Sequence, residues 1–180
     1  MSAPVIVRYS DIVPTPWKNG RGITRNLFDD ADAAGEWTWR VSIAEITGTQ
    51  PYSPYPGVRR GQVALGPGAV DLRIGGRERV LEEEAVIFFD GEDAVDATPR
   101  ASGFLDLNVM ARRDRWTGAV EIVDGLGRVS ADAGIVVLVA LGDTASVDGD
   151  GLRRLDGVML EPTVSATLTG RFVVAALARN

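Results

Sequence analysis

Lys18 is the single lysine among 19 basic residues, and one of only four asparagines, Asn19, follows it. Both sit in Pro14-Thr15-Pro16-Trp17-Lys18-Asn19-Gly20-Arg21-Gly22-Ile23-Thr24. Two prolines fix an extended approach, and two glycines permit tight turns or a close backbone approach. An ammonium beside an amide and free backbone N–H groups suits an anion such as a carboxylate. The plainer alternative is a surface loop with a solvated lysine. A second stretch, Thr49 to Arg60, holds three prolines and two of the three tyrosines, Tyr52 and Tyr55. A stiff loop carrying aromatic hydroxyls makes a pocket wall, or a crossover whose rings cap a core. A third, Asp106-Leu107-Asn108-Val109-Met110-Ala111-Arg112-Arg113, alternates. On a strand, Asp106, Asn108, Met110 and Arg112 share one face, too polar for a dry core, so that face meets either water or a polar cavity.

What is missing narrows the chemistry further. The 180 residues include no histidine and no cysteine. A Ser-His-Asp triad, a Cys-His pair, a zinc site on nitrogen or sulfur, and a haem held by His or Cys are therefore excluded. Any metal would need an all-oxygen shell. Glu82-Glu83-Glu84 reads as a charged hairpin edge, and Asp148-Gly149-Asp150-Gly151 as a turn lacking the spacing of a calcium loop. No metal and no cofactor is expected. With 25 acidic residues against 19 basic, the net charge is −6, which argues against a broad nucleic-acid or anionic-membrane surface. The longest apolar run, Ile135 to Leu141, is far short of the ~20 residues that span a bilayer. The N-terminus lacks a basic region followed by a long apolar stretch, so a cytoplasmic protein is expected.

The elements that must position these residues are strands. Trp37 to Ile43 alternates, Ala69 to Ile74 and Arg77 to Leu81 flank Gly75-Gly76 as a hairpin, and Ile135 to Leu141 is apolar on both faces, as in a central strand. Val5 to Tyr9, Ala85 to Phe89, Phe104 to Ala111, Ala119 to Val123, Thr144 to Val147 and Arg171 to Leu177 complete the set. No window of twelve residues keeps a helical apolar period free of Gly or Pro. The spacing predicts an all-β sandwich or barrel. A break at Arg113-Asp114-Arg115 divides it into residues 1–114, which carry the pocket, and 115–180.

These segments together resemble the HutD/Ves family. The resemblance lies in Pro16-Trp17-Lys18-Asn19-Gly20 with Thr24, in Trp39-Arg40-Val41-Ser42, and in Tyr52-Ser53 with Pro56-Gly57-Val58 and Arg60. It continues in Phe89-Asp90-Gly91 and in Asp106-Leu107-Asn108-Val109-Met110 with Arg112 and Arg113. Three positions depart from the family pattern: Arg21 replaces a usual glycine, Asn26 a usual acid, and Arg59 a usual aspartate. All three make the region more cationic. The resemblance implies a metal-free bicupin, two cupin-like β-halves packed together, often a homodimer, associated with histidine utilisation. It implies a small anionic ligand, formylglutamate- or urocanate-like, met by Lys18, Asn19, Thr24, Arg40, Ser42, Tyr52, Ser53, Arg60, Asp106, Asn108 and Arg112.

Lys18 and Arg60 are expected to converge on a carboxylate, with Asn19 and Asn108 reading an amide, formyl or imidazole group and Asp106 pairing with an arginine. No residue is assigned a catalytic role. The leading expectation is a binding protein that senses or buffers the metabolite. The alternatives are a metal-independent isomerase or hydrolase acting on it, and a module whose partner is another protein.

Overall fold

A computed structural model describes residues 3–17 and 20–180. In chain order the strands are β1 (Val5–Val7), β2 (Thr15–Pro16), β3 (Gly22–Ala31), β4 (Trp37–Ile46), β5 (Gln50–Pro51) and β6 (Val58–Gly66). Then come β7 (Val70–Ile74), β8 (Arg77–Leu81), β9 (Val86–Asp90), β10 (Val95–Pro99), β11 (Phe104–Arg112) and β12 (Trp116–Ser130). The last are β13 (Gly134–Ala140), β14 (Ser146–Val147), β15 (Asp150–Gly151), β16 (Gly157–Leu160) and β17 (Ser165–Arg179). Among the described residues the one helical element is a 3-10 turn, Tyr9–Asp11, so the all-β expectation is met. No helix among them is long and apolar enough to cross a membrane.

The chain forms two units. The first runs from Pro14 to Arg115 and contains two antiparallel sheets. One has six strands in the order β2-β3-β4-β11-β6-β9, the other four in the order β5-β10-β7-β8. Residues of both sheets build one core cluster: Ile46 and Phe104 from the first pack with Val70, Leu72, Leu81, Val95 and Ala97 from the second. The Gly75-Gly76 hairpin is present, and both glycines have positive φ, the conformation a two-residue primed turn demands.

The register of the six-stranded sheet decides where the polar side chains go. Asn108 pairs with Ser42 of β4 on one side and Gln62 of β6 on the other. One step along the same face, Met110 lies between Arg40 and Arg60; one step the other way, Asp106 lies between Ala44 and Ala64. On β3, Asn26 pairs with Ser42 and Thr24 with Ala44. Strict alternation puts Leu107 and Val109, both buried, on the opposite face. The face of Leu107 and Val109 is hydrocarbon; the other is a polar platform from Arg40 and Arg60 to Asp106 and turns apolar at Ile46 and Phe104, where it joins the core.

The second unit holds the described residues up to Val13 together with Trp116–Asn180. Its sheet runs β1-β16-β13-β17-β14-β15, with β12 also paired to β17. The strand with two apolar faces, β13, lies between β16 and β17, and Val137 and Leu138 are fully buried. The expected split at residue 115 places β1 in the first half, whereas β1 pairs with β16 and belongs to this unit. The buried Asp156 carboxylate fixes the strap that follows β1: it accepts from Arg8 Nη1 (2.8 Å), the Tyr9 amide (3.0 Å) and the Arg153 amide (2.9 Å).

The sequence reading leaves out β3, β6, β10 and β16 altogether, with the two-residue strands β2, β5 and β15. In β6, Arg59-Arg60-Gly61-Gln62 looks like a polar turn, because the side chains it sends inward are polar rather than apolar. The aromatic loop between β5 and β6 is pinned at Gly91, whose carbonyl accepts the Tyr55 amide (2.7 Å) and whose own amide donates to the Val58 carbonyl (2.7 Å). A Cβ on Gly91 would collide with the Tyr55 carbonyl, which is backbone and cannot swing aside. Gly91→Ala is expected to lower stability by roughly 1–3 kcal/mol, the usual range for overpacking. Thermal denaturation gives that number, and limited proteolysis should show cleavage appearing within residues 52–57.

Candidate ligand-binding site

The polar platform floors a cavity of about 770 Å³. Arg40, Ser42 and Ala44 come from β4, Arg60 from β6, and Asp106, Asn108 and Met110 from β11. The walls are Trp17 with Thr15 and Pro16, Thr24 and Asn26 of β3, and the loop residues Tyr52, Ser53 and Tyr55. The Trp17 indole is held upright by donating to the Thr24 hydroxyl at 2.7 Å.

A continuous hydrogen-bonded row runs across the floor. Arg60 Nη2 donates to Asn108 Oδ1 (2.7 Å), and Asn108 Nδ2 donates to Asp106 Oδ2 (3.0 Å). Gln62 Nε2 donates to the same carboxylate oxygen (2.6 Å) and to the Tyr52 hydroxyl (2.7 Å). The row is dry: Asp106 is 1% exposed, Gln62 0%, and Arg60 and Asn108 6% each. The guanidinium of Arg60 lies 4.9 Å from the Tyr52 ring centre, 5.0 Å from Phe89 and 5.9 Å from Tyr55, a cage of π faces. Four buried atoms in this region have no hydrogen-bond partner among the described residues: Arg60 Nε, Arg40 Nε, Asp106 Oδ1 and Gln62 Oε1.

Burial sets the electrostatics. It pushes the Asp106 carboxyl up to about 6, against the opposing pull of Arg60 and of the amides of Asn108 and Gln62. Burial likewise raises the Tyr52 phenol, so that group stays neutral. Burial lowers the Arg60 guanidinium, and Tyr52, Asp106 and Tyr55 oppose that shift. Asp106 does not touch an arginine directly, contrary to the expectation. Asn108 stands between Arg60 and the carboxylate, its oxygen toward the cation and its nitrogen toward the acid.

Eight of the expected residues, Thr24, Arg40, Ser42, Tyr52, Ser53, Arg60, Asp106 and Asn108, line this one cavity. Lys18 and Asn19 lie outside the described residues. Arg112 is not part of the lining. It shares the β11 face, but its Nε donates to the Trp37 carbonyl (3.1 Å), its guanidinium stacks 5.4 Å from the Trp37 ring centre, and Glu36 is 3.6 Å away. Arg40 packs on the same ring at 5.1 Å. The β11 face expected to meet water or a cavity meets the cavity. Gln62 was missed because β6 was missed. The signal available was an Arg-x-Gln alternation directly after the Pro-Gly turn.

A family model described as HutD matches residues 9–176 of this chain. The chain belongs to the HutD family. It is 34% identical over 141 residues to Protein Ves of Citrobacter koseri, covering 76% of this chain and 74% of that one. It is 28% identical over 153 residues to an uncharacterized 21.2 kDa protein in the hutC 3' region of Pseudomonas putida, covering 84% and 80%. Among solved structures, HutD from Pseudomonas fluorescens SBW25 superposes with a TM-score of 0.92 at 25% identity, covering 99% of this chain and 100% of that one. A bacterial pirin from Escherichia coli, in complex with nickel(II), shares the fold alone: TM-score 0.63, 10% identity, coverage 96% and 97%.

The three departures from the HutD pattern fall unequally. Arg59 is half-exposed and paired with Asp90 at 3.0 Å, and Arg21 donates to the Thr49 carbonyl at 3.1 Å. Neither lines the cavity. Asn26 does, and its amide donates to Asp29 at 2.7 Å. Of the three, Asn26 alone is part of the lining.

The raised Asp106 has a consequence for stability. A carboxyl whose folded pKa exceeds its unfolded value stabilises fully below the unfolded pKa, and that contribution is lost as pH rises through the folded pKa. The ligand-free protein is thus expected to lose stability between about pH 4 and pH 7 through this group. Asp106→Asn, isosteric and neutral, removes that loss and is expected to be more stable than wild type at pH 8 by roughly 1–3 kcal/mol. Urea denaturation of both proteins at pH 4.5 and pH 8 checks the sign.

Proposed function

We propose that this cavity binds a small organic anion, a formylglutamate- or urocanate-like intermediate of histidine catabolism, and holds it without turning it over, as a sensor or buffer. The observation that carries the reading is Arg60: a guanidinium 6% exposed, at the cavity floor, bonded to a neutral amide and with Nε free of a partner. A buried cation with no carboxylate in contact is an unfinished interaction, and a ligand carboxylate completes it with a charge-assisted, directional contact. Asn108, Ser42 and Asn26 supply groups that both donate and accept, and the aromatic walls suit a planar or extended carbon skeleton. Family membership, and a relative encoded in a hutC region, support the link to histidine utilisation.

The same reading makes the two units the halves of a bicupin, acting as a cytoplasmic homodimer, with Lys18 contributing to the anion site. A second reading has its own support. A buried carboxyl near pKa 6 in a cavity is what a general acid or base requires, so Asp106 would serve a metal-independent isomerase or hydrolase. Turnover of urocanate or N-formyl-L-glutamate by the purified protein, abolished in Asp106→Asn, selects that reading.

The anion site is tested by calorimetric titration of the same two acids into wild type and Arg60→Gln. Losing a charged hydrogen bond of about 1.5–3 kcal/mol should weaken binding roughly ten- to hundred-fold. Equal Kd values for both proteins place the anion elsewhere.

A further inference from the structure

Asp106 poses a problem for an anion site. Its carboxylate faces the cavity, Oδ1 is buried without a partner, and Arg60 reaches it only through the Asn108 amide. Among the described residues the charged groups around it are few. From β6 comes Arg60, from the loop after β5 the phenols of Tyr52 and Tyr55, and from β4 Arg40, shared with Asp29 at 3.6 Å; β3 contributes Thr24 and Asn26. A ligand carboxylate that arrives at Arg60 places a second negative charge close to the buried Asp106. Two carboxylates sharing one desolvated site do not both stay ionised.

The network already contains the part that accommodates a proton. Gln62 Nε2 sits between the Tyr52 hydroxyl and Asp106 Oδ2 and donates to both, while Gln62 Oε1 has no partner. With Asp106 ionised, this orientation satisfies the carboxylate from Gln62, and the Tyr52 hydroxyl, close to the same acid, interacts with it as well. With Asp106 protonated, the reversed amide puts its oxygen at the same point, where it accepts O–H bonds from both Asp106 and Tyr52. One rotation of one side chain exchanges donor for acceptor at that point and turns the Nε2 group toward the side where Oε1 now has no partner.

We propose that the cavity takes up its anionic ligand together with a proton, that the proton goes onto Asp106, and that Gln62 is the positioning residue whose amide turns to hold it. The proposal rests on the anion-binding reading above. The proton comes from solvent and is released with the ligand, so the cycle is a binding equilibrium with no covalent step. Affinity is therefore linked to pH: an anion that raises the Asp106 pKa binds more tightly where Asp106 is protonated. Since Asp106 sits at about 6 in the free protein, the affinity is level below that pH and falls above it.

The test is calorimetry with N-formyl-L-glutamate as probe from pH 5.5 to pH 8, each point in two buffers of different ionisation enthalpy. Kd is expected to weaken by up to about tenfold per pH unit above pH 6, the limit for one linked proton. Comparison of the buffers at pH 7 should show proton uptake. In parallel, the carboxyl-carbon NMR shift of Asp106, assigned by its loss in Asp106→Asn, should titrate at a higher pH when the protein is saturated with the probe. Gln62→Met removes an N–H that favours the ionised acid, so the pH window should move upward; a purely structural Gln62 would weaken binding and leave the window where it was. A Kd flat with pH, no proton uptake and an unmoved Asp106 titration overturn the proposal while leaving the anion site intact. Absence of binding at every pH overturns both.

Discussion

The constraint on which the pocket-bearing unit depends is a buried row of polar side chains that has to be satisfied from within. A sheet face that points into a protein normally carries hydrocarbon, and here it carries Arg60, Gln62, Asp106 and Asn108, each nearly or fully inaccessible. Such groups cost several kcal/mol apiece unless they are hydrogen-bonded. Adjacent strands meet the requirement: β11 supplies Asp106 and Asn108, β6 supplies Arg60 and Gln62, and the register brings Asn108 directly opposite Gln62. A slip of one residue would turn the whole set to the other face and replace it with Leu107 and Val109. The platform and the register of the six-stranded sheet are thus one specification. The hydrocarbon face anchors it, and the polar face gives it a purpose that packing alone would not.

This explains what could be read from the sequence and what could not. β11 was legible because its apolar positions alternate cleanly, and the polar positions between them are conspicuous by contrast. The same alternation placed Arg112 with Asp106 and Asn108, correctly for the strand face, but a long side chain at a strand end goes where its partners are, and Trp37 and Glu36 hold it. β6 and β3 were illegible for the opposite reason. A strand whose inward side chains are Arg60 and Gln62 presents no hydrophobic period, and Gly61 between them reads as a turn. β3 carries a break in register between Asn26 and Phe28, which interrupts its alternation. The pairing of β1 with β16 joins residues some 150 apart, which no local pattern encodes. Two of the strands that escape sequence reasoning, β3 and β6, are strands that build the site.

The distribution of charge follows the same division between surface and interior. The chain is acidic by six charges, yet the cavity presents guanidinium. At ordinary ionic strength, exposed charges beyond about 10 Å are screened, so the net charge repels an anion only weakly at the site. Most of the arginines described in salt bridges of this unit, such as Arg59 with Asp90 and Arg100 with Asp71, are half-exposed and neutralised by a neighbour. Pairs of that kind contribute little to stability. Arg60 differs in both respects, buried and without a carboxylate in contact, and it is this difference that gives it chemical reach.

How a folded protein tolerates such a cation bears on what it can bind. Desolvating a guanidinium is unfavourable, and a direct carboxylate partner is the usual compensation. Here three aromatic rings within 6 Å and one amide oxygen at 2.7 Å provide it instead. π faces and a neutral acceptor offset part of the loss but leave the charge itself uncompensated. The carboxylate that would complete the pairing, Asp106, is held one amide away and is itself poised between charge states. An anionic ligand therefore meets a guanidinium whose hydration has already been removed during folding and whose orientation is fixed by its cage. The ordering and desolvation that ordinarily oppose binding have been met in advance on the protein side. On the anion-binding proposal, the ligand that suits this site best has a carboxylate that lies in the plane of Arg60, reaches its bare Nε, and lets Asp106 take up a proton.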